Sequence, residues 1–536
     1  MKSFAITTLG LAHSVAAGQL VWPSKWDELE NLYTMMSGIN RQGFIDAVNP
    51  CDFAQHEKGR HNSAQWLRTA FHDMVTHNAE LGTGGVDASI FFELDRAENE
   101  GSAFRNTWGF FSGFHTVRSS AADLVALGVV TISGACGGNK LQYRGGRIDA
   151  TEAGPSGVPE AHTDLDTVLE TFSKAGFTKE EMITMVACGH TLGGVHSVNS
   201  PEIVDIPADP SNDTLVTFQK DVSKINNGVV NEYLDGSTKN PLVVASNDTF
   251  NADKRVFSSD GNATMTKMQD GKTFLNMCAD IFNRMIDTVP SNVQLSDVIE
   301  PYEVKPYISQ LLLTEGGDIT FTGSLRFRVT EGSGRKYNDI AADLIYYDRD
   351  GAQEHVVTAV KETYKLGLSI GLHGESFINF NFKTTVKGAT GISKFTIRET
   401  TPSTNETAIY DNQGTGGYPV DDTVLYQLST SCFDSGNIVD GMIPISVIAM
   451  VREDEASKPL TLEVVHKKKR DVAVTPALEW ETVNFESTGV KNNGWVEFKA
   501  ATKVEGTTTF DIALGGERRP TVEFLKTGPM PRTCTK

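Results

Sequence analysis

From about residue 25 to 290, apolar residues recur at helical spacing. In "HTDLDTVLETFSKAGF", Leu165, Val168, Leu169 and Phe172 share one stripe that ends at Gly176. That pattern predicts a helix burying one face and stopped by a glycine. "KTFLNMCADIFNRMIDTV" repeats it with Phe274, Met277, Cys278, Ile281, Phe282 and Met285. Segments rich in Gly, Pro and Asn separate such stripes, notably 196–217 and 235–255. From about 305 the period becomes two. "ITFTGSLRFRV" alternates at Leu325, Phe327 and Val329, and "SFINFNFKTTV" at Ile378, Phe380 and Phe382. "TVLYQL", "ISVIAMV", "LTLEVV", "WVEFKA" and "TTFDIAL" continue as short strands divided by Gly, Asn and Pro. The change of period falls near "VPSNVQLSDVIEPYEVKP", 289–306, with Pro290, Pro301 and Pro306. The expected architecture is multidomain: a mainly α domain over 18–300, then an all-β, sandwich-like region over 301–536, as one large module or two small ones. No internal repeat is visible.

Composition narrows this picture. A chain of 536 residues is too long for one ordinary core. A net charge of −20 argues against nucleic-acid binding, which needs clustered Lys and Arg. The one dense basic run, "HKKKRD" at 466–471, reads as a solvated strand end or, at Lys469-Arg470, as a processing site. The N-terminus, "MKSFAITTLGLAHSVAAG", places one lysine before an apolar run ending in small residues. This is the form of a signal peptide, residues 1–17, cleaved after about Ala17. No later apolar run is long enough to span a bilayer. A secreted, extracellular glycoprotein follows as the expectation, with cysteines 51, 136, 188, 278, 432 and 534 available for disulfides. Sequons at Asn212, Asn247, Asn262 and Asn405 fit that route.

Two stretches carry candidate chemistry. In "WLRTAFHDM", Arg68 and His72 lie four apart, so on a helix they share a face. In "MVACGHTLGGVH", His190 stands among small residues that let a flat ligand approach. The bland reading of the first stretch is a buried helix with a satisfied histidine and a surface arginine. The sharper one sets one imidazole as an iron ligand opposite an imidazole and a guanidinium. The second imidazole moves a proton on peroxide, and the guanidinium stabilises developing negative charge. A metal hydrolase built on His190 and His196 lacks carboxylates at ligand spacing.

Further segments join these two in order: "GGVDASI", "AADLVAL", "GGRIDA", "VPEAHTDLD" and "NADKRVFSSDGNAT". Together, over roughly 45–290, they resemble the haem peroxidase superfamily of plants, fungi and bacteria, in its secreted fungal form. Ala161 departs from the pattern where a proline is usual. The resemblance implies haem b and Ca2+ as cofactors. It casts Arg68, His72 and Asn99 as catalytic residues, with Asn106 a competitor for the place of Asn99. Phe71 becomes the aromatic beside His72, His190 the iron ligand, and Asp253 the acceptor of its other N–H. Phe218 is expected near His190, and His196 near a haem propionate. Asp73, Gly85, Asp87 and Ser89 match the ligands of a distal calcium. A proximal calcium through Thr191 and Asp221 would be weakened or empty, because Gln219 and Asn226 replace usual carboxylates. The resemblance also implies a Cys51–Cys136 bridge. Cys188 and Cys278 either pair or remain buried thiols, which leaves Cys432 and Cys534 for the β region.

The implied activity is reduction of hydrogen peroxide with oxidation of small phenol-like donors at the haem edge. Relatives that oxidise manganese carry carboxylates where this chain has His61, Gln65 and His196. Relatives that take bulky donors carry a tryptophan where it has Met185. The β region resembles nothing recognised; contact with polysaccharide or cell wall, or shielding of the haem edge, are its open roles. Trp480 and Trp495 are sugar-stacking rings or core. The competing reading of the whole chain is an extracellular binding or adhesion protein on a degenerate peroxidase scaffold.

Overall fold

The computed structural model describes residues 20–55, 59–516 and 520–534. The expected signal segment, 1–17, lies outside them. The helical half opens with α1 (Asp27–Thr34), α2 (Asn62–Met74), α3 (Ala103–Phe111), α4 (Ala121–Ala135), α5 (Leu165–Lys174) and α6 (Lys179–Gly189). Side chains at their entrances satisfy free backbone N–H groups: Ser120 caps α4, Asp164 caps α5, and Thr178 with Glu181 forms a capping box on α6. Gly176, at φ +89°, follows α5 in the left-handed region and ends it. The stripe around Phe274 becomes the helix Gly271–Ile286.

α4 is apolar all round and buried along almost its whole length, which makes it the central rod of the domain. Gly128 on α4 faces Phe111 of α3; a Cβ there would meet the ring at 3.0 Å, so the glycine sets how closely the two helices approach. Disulfides Cys51–Cys136 and Cys188–Cys278 staple this half, and Cys432–Cys534 closes the β half.

Beyond residue 303 the chain is antiparallel sheet. The strand Ile319–Arg328 sits between Val304–Leu313 and Ser376–Val386. Its inward Phe321, Leu325 and Phe327 pack with Ile378, Phe380 and Phe382 in one core, which Trp495 also enters at 1 % exposure. A second core lies between sheets built from Ile443–Arg452 with Trp495–Val504, and from Leu460–Lys468 with Thr509–Leu514. Of the two candidate tryptophans, Trp495 is therefore core, whereas Trp480 is 51 % exposed.

The halves are tied by long-range contacts. β1 (Met35–Ser37), from the helical half, pairs with Leu368–Gly371. Glu30 on α1 is fully buried and bonds Arg326 at 2.5 Å and Lys305 at 2.6 Å, both also buried. Burial alone would raise the Glu30 carboxyl; the Arg326 and Lys305 charges outweigh it and hold the carboxyl low. Among the described residues, no helix is long and apolar enough to cross a membrane.

Candidate active site

α2 places Arg68 and His72 one turn apart. Arg68 Nε donates to His72 Nε2 at 3.2 Å, and His72 Nδ1 meets Asn99 Oδ1 at 2.8 Å. Asn99 is fully buried, and its Nδ2 donates to the Glu93 carbonyl at 3.1 Å. That bond fixes which way the amide points, so Oδ1 accepts from His72 Nδ1–H and Nε2 is left as the basic nitrogen. The competitor Asn106 turns instead to Ser102. Burial, then the Arg68 charge, pushes the His72 imidazole well below its ordinary value, so it is neutral at physiological pH. Burial draws Arg68 down only to about 10, leaving it cationic. Phe71 packs edge-on to His72 and near Phe172.

His190 follows the last residue of α6. Its Nδ1 lies 2.8 Å from Asp253 Oδ2, and Asp253 is 2 % exposed. The Nδ1–H therefore goes to the carboxylate and Nε2 is left to act as a ligand. The short hairpin of β2 (Gly194–His196) and β3 (Leu215–Thr217) brings Phe218 onto the ring, stacked at 4.1 Å and 18°. A Cβ at Gly193 would meet Ala64 of α2 at 2.7 Å, so the loop after His190 passes directly against the first turn of α2.

Two residues that complete this network, Asn240 and Asp213, escaped the sequence reading. Asn240, fully buried, donates to the same Asp253 oxygen at 2.7 Å. Its place before Pro241 signalled only a turn. Asp213 accepts from His196 Nδ1 at 2.7 Å and from Arg60 at 3.0 Å, and it sat inside a sequon that drew all the attention. Burial raises the Asp213 carboxyl, but the Val198 N–H, His196 and Arg60 together hold it below its usual range. His61 precedes α2 with a buried, unpartnered Nδ1; Gln65 and Met185 are buried.

Asp73 and Asp87 form a buried anionic pair. Asp73 accepts from Ala88 N at 2.8 Å, Ile90 N at 3.0 Å and Ser89 Oγ at 3.4 Å, and Asp87 accepts from Ser89 N at 3.0 Å. Burial, then the neighbouring Asp87 charge, raises Asp73 well above its normal value. Gly85, at φ +109°, lies so near Thr288 that a Cβ would be 2.6 Å from its carbonyl oxygen. Among the described residues no group of three His, Cys, Asp or Glu side chains converges to hold a metal. Two repelling carboxylates with a hydroxyl and nearby carbonyls still fit a hard cation, provided backbone oxygens complete the shell.

Thr191 and Asp221 make no second cage. Gln219, buried, donates from Nε2 to Thr191 O at 2.7 Å and Asp221 O at 2.8 Å, and its Oε1 accepts from Val229 N at 2.6 Å. The Asp221 carboxylate bonds Ser223 and Lys224, and Thr191 Oγ1 donates to Cys188 O. Of the two expectations for the proximal position, weakened or empty, the Gln219 bonds favour the empty one.

Residues 52–269 match the family model described as Peroxidase. The helical domain belongs to that family. The chain is 38 % identical over 468 residues to a WSC domain-containing protein of Arthroderma benhamiae, covering 86 % of this chain and 60 % of the relative. That alignment is too long to lie in one half, so the peroxidase domain and the β region recur together. Versatile peroxidase VPS1 of Pleurotus eryngii is 30 % identical over 188 residues, 32 % of this chain and 47 % of its own. A mitochondrial cytochrome c peroxidase of Yarrowia lipolytica is 31 % identical over 142 residues, 25 % of this chain and 41 % of its own. The chain thus spans three fifths or less of the length of these relatives.

Proposed function

We propose that the chain is a secreted haem peroxidase that reduces hydrogen peroxide and oxidises small phenol-like donors. The helical domain would occupy about 18–300 and the β region 301–536. The observation that carries the reading is a pair of oriented imidazoles, each with its N–H committed through Nδ1 to a fixed partner so that Nε2 is the basic nitrogen: His72 through Asn99 and His190 through Asp253. These residues fit a haem. His190, stacked on Phe218 and backed by Asp253 and Asn240, would hold the iron; His196, beside Asp213 and Arg60, would sit at a propionate.

When bound, a haem would supply the redox chemistry that cleaves the peroxide bond. The chain would manage the protons and charge. His72 Nε2 would take the proton from incoming peroxide and return it to the departing oxygen, and Arg68 would stabilise negative charge on that oxygen. Asn99 would keep the tautomer that makes both steps available. Asp73, Asp87, Ser89 and the Gly85 carbonyl would hold one calcium.

Donor choice follows from what the edge lacks. His61 and Gln65 offer no anionic oxygen for a hard divalent cation, and the Asp213 carboxylate is already paired with Arg60 and His196. Met185 is a buried thioether and no surface relay. Small aromatic donors at the haem edge remain. Among the described residues, no hydrogen bond or ion pair joins the β region to the loops 154–163 or 194–217. Secretion is supported by the three disulfides and by exposed Asn212, Asn247 and Asn405. Reconstitution with haem tests the reading: a Soret band and peroxide-dependent oxidation of a small phenol are expected. A chain that takes up no haem would return the adhesion reading.

A further inference from the structure

The hairpin loop between the strands Leu460–Lys468 and Ala477–Asn484 leaves the β region and closes on the helical domain. Val474 N–H donates to Phe91 O at 3.2 Å, and the Val474 side chain packs on the apolar core of the helical domain. The Arg470 guanidinium lies 5.1 Å from the Phe92 ring centre. Phe91 and Phe92 end the single 3-10 turn Ser89–Phe92, a form with poor internal hydrogen-bond geometry. The next residue, Glu93, offers the carbonyl that orients Asn99, and Asn99 orients His72. On its other side the turn begins at Ser89, which bonds Asp73, the neighbour of His72 on α2.

We propose that Arg470 and Val474 form a strap through which the β region positions His72, acting by way of Phe91, Glu93 and Asn99. They are positioning residues and touch no substrate. The inference rests on the peroxidase reading for its catalytic consequence, though not for the contact itself. It also gives the basic run at 466–471 a role: Arg470 is packed over an aromatic ring of the other domain, the geometry of a cation–π contact. A processing protease would need that side chain undocked.

The test uses the full haem-loaded chain with Arg470→Ala and Val474→Gly combined, with and without Asn99→Ala. The peroxide reaction followed by stopped flow should slow about tenfold in the strap variant, the scale of loss from a small misplacement of a catalytic group. Backbone amide exchange over 87–99 should rise, while exchange in α6 and the haem spectrum stay unchanged. In the Asn99→Ala background the strap substitutions should alter the rate less than about twofold, because their route is already cut. Arg470→Lys, which keeps a cation over the ring, should restore most of the rate. Val472→Ala, at a loop position 73 % exposed, should change nothing. Equal losses in both backgrounds, or unchanged exchange over 87–99, would overturn the strap. If the parent chain fails to react with peroxide at all, the peroxidase reading falls, and the exchange measurement still decides the contact.

Discussion

Gln219→Glu isolates what the Gln219 amide does at the position where a second calcium was expected. The wild-type amide supplies two N–H donors, to Thr191 O at 2.7 Å and Asp221 O at 2.8 Å, from a side chain only 2 % exposed. Glutamate keeps the acceptor for Val229 N but turns both donors into an oxygen facing two carbonyl oxygens. Each buried group left without its partner costs about 1–3 kcal/mol, so the pair loses roughly 2–6 kcal/mol before any like-charge repulsion is counted. For a domain of this size that is a fall in Tm of roughly 4–24 °C. The same change restores an anion beside two carbonyl oxygens and Thr191, which is what a calcium ion requires. Thermal unfolding in chelator and in millimolar calcium separates the effects. The variant should melt well below wild type in chelator and gain more from calcium than wild type does. Calcium titration should find one tight site in wild type. Two tight sites in wild type, or a variant as stable as wild type in chelator, would refute the amide as the replacement for the ion.

His72→Leu should leave haem uptake intact and slow the peroxide reaction by at least about 10²-fold, the usual contribution of a positioned acid–base group, read by stopped flow. Arg68→Leu should slow it as well; because the Arg68 charge helps hold the His72 imidazole low, the acid limb of the rate profile should move to higher pH. Asp253→Asn should raise the iron reduction potential, measured by spectroelectrochemistry, since His190 loses an anionic partner. Asn240→Ala should move the potential the opposite way, because Asp253 then gives its full charge to His190. Glu30→Ala strands Arg326 and Lys305 in the interface and should cost about 3–5 kcal/mol in denaturant unfolding.

What the sequence made legible was local. The stripe ending at Gly176 became α5, and "SFINFNFKTTV" became the strand Ser376–Val386, because each carries its own period and stop signal. Arg68 with His72 is legible for the same reason: four residues on one helix face are a local fact. Asn99 was separable from Asn106 only in three dimensions, since both sit in one polar loop and the choice depends on where the Glu93 carbonyl points. Asn240 and Asp213 were missed because each also satisfies an ordinary signal, a turn before proline and a glycosylation sequon. At the expected proximal calcium, counting carboxylates left a weakened and an empty site both open, because it treats a lost charge only as a weaker cage. It overlooks that an amide can satisfy the same carbonyls with its own protons.

The contacts between the two halves show the same limit from the other side. Glu30 reads on α1 as one more surface acid in a helical first turn, yet it is fully buried against Arg326 and Lys305, whose places in the sequence are those of ordinary strand charges. Nothing in the local pattern of any of the three announces the others, because each is a plausible solvent-facing residue taken alone. A buried charge is tolerated only when its partner is already held in place, so the three positions constrain one another across 296 residues. The Phe91–Val474 contact works in the same way: a backbone carbonyl in one domain is satisfied by a backbone N–H in the other, with no side-chain signature in either. A peroxidase domain expressed without the β region would therefore expose Glu30, lose the partner of β1 and free the turn behind His72, all at once. The β region is a structural part of the helical domain's surface.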